Sequence, residues 1–235
     1  RLLDAYRLRR PMTTRHALFL SLLLCSVGLG LAPRASHATV LQRVDFDTMA
    51  ERADLVFYGS VTERFTHYRT RRGPGSRAIV TTTSFDVHHV LKAPSDRTIP
   101  ARGFQLTLAG GSLDGLTARI PGMPRFVPGE RVVLFLEETP GGGYTVLGFE
   151  QGRFRVEGDK DGTPIAVRRV RGAALADPAT GSIDGHGAGE TSAQSGHSVH
   201  GFVDDLRIPL TQLFQRVRSI CGDVDPSLGS QEVAR

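Results

Sequence analysis

Cysteine is nearly missing from this 235-residue chain, which holds only Cys25 and Cys221. Cys25 falls inside an N-terminal apolar run that reads as a removable export signal, which leaves one thiol in the rest of the protein. A single thiol excludes an internal disulfide framework and a cysteine-rich metal site. Lipid attachment at Cys25 would need a small residue before it, and Leu24 stands there. Excess positive charge is missing too, once the N-terminal segment is set aside. Residues 1–38 carry six of the 29 basic residues and one of the 24 acidic ones, so residues 39–235 hold 23 of each. The formal charge of +5 therefore resides in the first 38 residues. A neutral remainder provides no global field for nucleic acid or an anionic membrane, and no nucleic-acid partner is expected. Long apolar runs are also lacking. The one candidate, residues 17–32, is interrupted by Gly28 and Gly30 and is short for a bilayer-spanning helix.

Residues 12–38 have the layout of a secretory signal peptide. Met12 is followed by Arg15 and His16, then the apolar run, then the small-residue exit Ala35-Ser36-His37-Ala38. Cleavage after Ala38 is expected, which gives a secreted or periplasmic product of 197 residues, starting at Thr39, with no membrane anchor. Residues 1–11 contain Arg1, Arg7, Arg9 and Arg10 and read as an upstream, non-native extension outside the fold. The mature length suits one compact domain with appendages.

Residues 39–171 are expected to form a mainly β, antiparallel, OB-like barrel of about five to seven strands, with a β-sandwich as the alternative. Residues 44–53 place Phe46, Met49, Ala50 and Ala53 at helical spacing, with Asp45 or Asp47 as N-cap. Strands are expected at 54–61, 78–92, 104–109, 131–137, 144–149, 153–157 and 165–170, with a short one near 117–120. Strand 78–92 alternates most clearly, Thr81, Thr83, Phe85 and Val87 against Thr82, Ser84, Asp86 and His88. Residues 66–76 and 112–130 read as loops, and Gln151-Gly152 as a bulge. Residues 172–201 are poor in large apolar side chains and read as a flexible linker. Residues 202–222 read as a C-terminal helical segment, where Leu210, Leu213, Phe214, Val217 and Ile220 form a stripe ending at Gly222. Residues 223–235 read as a frayed tail, and Cys221 as a partly buried small hydrophobe.

No catalytic, cofactor or metal site emerges from residue spacing. His197 and His200 suit a metal only on a helix, and the glycine and serine around them argue against one. His88 and His89 are adjacent on a strand, so they are expected on opposite faces. Asp159-Lys160-Asp161-Gly162 lacks the later ligands of a calcium loop and reads as a hairpin turn. Ser60 and Ser112 have no elbow motif or assignable base, and Gly110-Gly111 and Gly141-Gly142-Gly143 lack the Lys of a phosphate loop. Glu137-Glu138 and Asp204-Asp205 read as diverging neighbours rather than acid/base couples. Arg69, Arg71, Arg72 and Arg77 form a basic loop, read as solvated.

A set of segments resembles uncharacterised exported bacterial β-domain proteins. It comprises Arg52-Ala53-Asp54-Leu55-Val56 with Gly59-Ser60-Val61, Phe85 with Val90-Leu91-Lys92, and Gly110-Gly111. It continues with Pro124-Arg125-Phe126-Val127-Pro128-Gly129-Glu130, Val133-Leu134-Phe135-Leu136 and Gly148-Phe149-Glu150-Gln151-Gly152-Arg153-Phe154. The element order is also similar to the netrin-like OB-fold modules of tissue inhibitors of metalloproteases. That resemblance implies a barrel. It assigns no inhibitory residue, because that family acts through an N-terminal cysteine and this product starts at Thr39. The expected function is an exported, non-catalytic binding module that recognises a protein or peptide through loops 64–77 and 111–130. The alternatives are an inhibitor or accessory of an exported metallopeptidase, and an enzyme of unrecognised type.

Overall fold

The computed structural model describes residues 40–70, 76–170, 174–176, 183–184 and 204–222, all within the compact unit Ala38–Arg235. The expected extension, signal peptide and tail lie outside the described residues. Among the described residues the fold is mainly β with two α-helices. Strands β2 (Leu55–Thr70), β3 (Arg77–Lys92), β4 (Phe104–Ala109), β7 (Arg131–Glu138), β9 (Arg153–Gly158), β10 (Pro164–Val170) and β13 (Asp204–Pro209) form one antiparallel sheet. Its order is β13-β10-β9-β7-β2-β3-β4, and β8 (Tyr144–Val146) also pairs with β7. Smaller ladders join β5 (Gly111–Leu113) to β6 (Leu116–Ala118), and β1 (Val40–Gln42) to β11 (Ala174–Ala176) and β12 (Ile183–Asp184).

The central strands are buried on both faces, which is why they read as continuous apolar runs rather than alternating ones. Leu55, Phe57, Val132, Leu134 and Leu136 enter one core with Phe85, Phe104, Leu106 and Phe126. Val56, Val133 and Phe135, from the same two strands, enter a second core with Phe154 and residues of both helices. Aromatic edges organise both cores, with Phe57 5.1 Å from Phe104 and Phe46 5.6 Å from Phe135.

Helix α1 (Phe46–Arg52) starts where Asp45 accepts hydrogen bonds from the Thr48 backbone N–H (2.9 Å) and hydroxyl (2.6 Å). Those bonds hold the Asp45 carboxyl below its usual range. At the other end, Lys92 Nζ donates to the Ala50 and Glu51 carbonyls at 3.0 and 2.7 Å, which satisfies acceptors that a short helix leaves open. Helix α2 (Leu210–Cys221) buries Leu210, Leu213 and Val217 in the second core and ends at Gly222, whose φ is +81°. Cys221 is half-buried, its Sγ 3.3 Å from the Ala50 carbonyl, and burial pushes its thiol pKa up.

Several elements depart from expectation. The main sheet has eight strands, seven of them within residues 39–171, and the eighth, β13, comes from beyond the expected barrel segment. Residues 66–70, read as loop, continue β2, which pairs with β3 out to Thr70↔Arg77. Beyond Ser60 the β2–β7 ladder ends and this half of β2 pairs with β3 on one side, where its mostly exposed residues need no apolar alternation. Residues 204–209, assigned to the C-terminal helical segment, form β13, and only Leu210 onward is helical. Within the linker, Ala174–Ala176 and Ile183–Asp184 are strands. There backbone pairing supplies the order, helped by burial of Leu175. The rest of residues 172–201 lies outside the described residues.

Residues 149–152 form a 3-10 turn rather than a bulge. Its Gln151 is fully buried, donating to the Gln42 carbonyl (2.9 Å) and accepting from the Val44 N–H (2.9 Å). Gly152 has no room for a side chain. A Cβ there would run into the Leu147 carbonyl oxygen and lie 3.0 Å from that of Phe135. Both obstacles are backbone, so neither can swing away. We expect Gly152→Ala to destabilise the protein by about 2 kcal/mol or more, in the range of core overpacking. Gly158→Ala, with nothing within 4 Å, should stay near neutral in the same urea titration. Equal effects of the two would contradict this packing.

Candidate functional site

Residues 119–130 cross the outside of β9 and β10 as a pinned loop. The Met123 N–H donates to the Ile120 carbonyl (3.2 Å), and the Glu150 N–H to the Gly122 carbonyl (2.8 Å). Phe126 inserts into the first core, 5.2 Å from the Phe85 ring, while Arg64 donates to its carbonyl. At the far end Gly129 and Glu130 exchange backbone hydrogen bonds with Val61, both 2.8 Å. Strand alternation supplies the facing wall. Phe154, Val156 and Ala166 point into the second core, so Arg153, Arg155, Val167 and Arg169 lie on the opposite face, toward the loop, with Val167 itself buried.

Between loop and strands lies a cleft of about 570 Å³. Arg119, Arg125, Arg153, Arg155 and Arg169 line it, with Glu150 as the acid among its lining residues and Ile120, Met123 and Val167 as apolar ground. A second cavity of about 110 Å³ lies beside the same loop, against Thr81, Thr83 and Gly110.

The arginines fall into two groups. Arg153 and Arg155 converge on Glu130 at 2.7 and 3.0 Å, and Arg153 also pairs with Glu150 at 2.7 Å. The side chains of Glu130 and Arg153 are only 5% and 10% exposed. Burial alone would raise the Glu130 pKa. Hydrogen bonds from Arg155 and Arg153, the Arg153 charge and the Val127 N–H overcome this and hold it below the ordinary value. Its hydrogen bond to Glu130 raises the Arg155 pKa in turn. Arg169 grips Glu157 through both terminal guanidinium nitrogens, Nη1 and Nη2, at 2.7 and 3.2 Å. Arg119 and Arg125 are exposed and form no ion pair or hydrogen bond among the described residues.

The candidates from sequence fall elsewhere. His88 and His89 do not point to opposite faces. The β2–β3 register slips between Tyr58↔His89 and Gly59↔Val87, and this bulge brings both rings to Tyr58, at 5.3 and 6.1 Å. His88 Nε2 lies 2.7 Å from Ser60 Oγ, so Ser60 has a histidine partner that spacing did not reveal. That pair is exposed and lines neither cavity. Ser112 meets Thr117 at 2.9 Å, and His67 stacks on Phe65. Residues 159–162 make a hairpin turn, with the Gly162 N–H on the Asp159 carbonyl at 2.9 Å. Glu137 and Glu138 diverge to Arg52 and Arg97. Arg69 and Arg77 sit on the β2–β3 hairpin, whereas Arg71, Arg72, His186, His197 and His200 lie outside the described residues. The Asp204 and Asp205 backbones belong to β13.

No protein-family model matches the chain, and neither curated proteins nor solved structures yield a match. Among the described residues, no group of three or more His, Cys, Asp or Glu is placed to hold a metal ion. No helix among them is long and apolar enough to cross a membrane.

The cleft arginines escaped sequence reading because they come from three separate segments. The Arg153-x-Arg155 alternation was the available signal, since period-2 spacing puts both guanidiniums on one strand face. Glu130 supplies a test of the arrangement. A carboxyl whose folded pKa lies below its unfolded one stabilises the protein above the unfolded value, and that contribution fades as pH falls through the folded value. Glu130→Gln should cost roughly 3 kcal/mol near neutrality by leaving Arg153 buried without its partner. The gap between wild type and variant should narrow on acidification through and below 4.5, the ordinary value. Urea unfolding across that range measures it, and a gap independent of pH would contradict the assignment.

Proposed function

We propose that this protein is an exported, non-catalytic binding module whose protein or peptide ligand occupies the arginine-lined cleft. The observation that carries this reading is a preformed concavity of about 570 Å³, walled by a loop that hydrogen bonds and a buried phenylalanine hold in place. Its size lies within the range usual for ligand sites. Rigid walls also lower the ordering cost of association. Of the two loops expected from sequence to carry recognition, 111–130 supplies cleft wall through residues 119–125, while Gly111–Leu113 and Leu116–Ala118 form a small ladder of their own. The described part of the other, 64–77, belongs mainly to the β2–β3 hairpin. The Ser60–His88 contact gives weaker support for an enzyme, because it lines neither cavity.

The fold proposed for this module is an OB-like barrel left open on one side, in keeping with the resemblance to netrin-like modules. Strands β2, β3 and β4 form a meander, and β7 returns beside β2. On the other edge of β7, β8 faces β4, with the Phe104 and Tyr144 rings 5.9 Å apart. Supporting export are the charged start, apolar run and Ala38 exit in residues 12–38.

A photo-crosslinker at position 123, inside the cleft, should capture a discrete protein from the exported fraction. The same group at position 160, on the β9–β10 turn, should not. Equal capture from both positions would count against the cleft as the recognition site.

A further inference from the structure

Building on that reading, we infer that the ligand of the cleft is an acidic peptide segment, in which carboxylates alternate with apolar side chains. The first support is an imbalance of charge that the whole-molecule composition hides. Residues 39–235 are formally neutral, yet five guanidiniums converge on one cleft. The carboxylates engaging them, Glu130, Glu150 and Glu157, occupy Arg153, Arg155 and Arg169. Arg119 and Arg125 remain on the loop side, exposed and unpaired among the described residues. Among the described residues, the loop side of the cleft therefore offers two guanidiniums with no carboxylate opposite them.

The second support is chemical fit. A guanidinium presents a planar fork that matches a carboxylate through two parallel hydrogen bonds. Lining the cleft between the forks are Ile120, Met123 and Val167. Apolar ground between charges suits a polypeptide that carries both kinds of side chain. A single-stranded nucleic acid calls for aromatic platforms on which bases stack, and among the described residues no aromatic side chain lines this cleft. A sulfated glycan would leave the apolar ground unused.

Fluorescence anisotropy with a short labelled peptide alternating Glu and Leu tests this on the protein. The peptide should bind, more weakly as salt rises. Its counterpart with Gln for each Glu should not. Arg119→Ala combined with Arg125→Ala should weaken binding roughly tenfold, consistent with two lost charge-assisted contacts. Both residues are exposed and unpaired, so the melting temperature should not move. Arg69→Ala with Arg77→Ala, on the hairpin outside the cleft, should bind like wild type. Equal binding of the Gln peptide, equal losses from the two arginine pairs, or displacement by oligothymidylate or heparin but not by unlabelled acidic peptide would each overturn the inference. If the acidic peptide fails while position 123 still captures a partner, the ligand chemistry is wrong and the cleft stands. If both fail, the cleft is not the site.

Discussion

A carboxylate withdrawn from water is tolerated in a folded protein only where several donors replace its hydration, and the outer wall of this molecule is built around one. Glu130 takes hydrogen bonds from the guanidiniums of Arg153 and Arg155 and from the Val127 N–H, while its backbone is bonded to Val61. It thereby joins three elements distant in the chain: the 119–130 loop, strand β9 and strand β2. The arrangement adds little to net stability relative to an apolar contact, because desolvation offsets much of the attraction. What it fixes is geometry. With Glu130 in place the loop has one position over β9 and β10, and the cleft has two walls.

That wall needs a stiff base, which the doubly covered strands provide. β2 and β7 contribute side chains to a core on each face of the sheet, so neither can shift without disturbing both. The Gln151-Gly152 turn locks the same region from the second side. Gln151 clamps the chain before α1, and Gly152 lets backbone pass where any side chain would collide. Arg153 follows directly, so the residue that lines the cleft is positioned by the most tightly packed turn described.

The sequence made some of this readable and hid the rest for identifiable reasons. Phe46, Met49 and Ala50 at helical spacing behind Asp45 predicted α1 to within two residues at each end. The apolar strands at 104–109 and 131–138 were equally legible, because their burial is written in their side chains. The outer half of β2 and strand β13 were not. Glu63, Arg64 and Thr66, like Arg207, sit on strands held by backbone pairing to one neighbour, with polar faces that mimic loop. His88 and His89 show a different limit, since a single bulge reversed the period-2 argument for their directions. The site was the least legible part. Along the chain the visible basic cluster is the local run Arg69 to Arg77, whereas the arginines that share a cleft come from positions 119, 125, 153, 155 and 169. Charge counted along the chain cannot reveal charge gathered across strands.

The central claim is that the Glu130 fork holds the loop that makes the cleft, and amide hydrogen exchange in wild type and Glu130→Gln tests it most directly. The account predicts that protection falls at Val127 and at Glu150, whose N–H donates to Gly122 within the loop. Amides in the β3–β4 ladder, such as Thr83 and Leu106, should keep theirs. Unchanged exchange at Val127 and Glu150, or a uniform loss across the sheet, would contradict it.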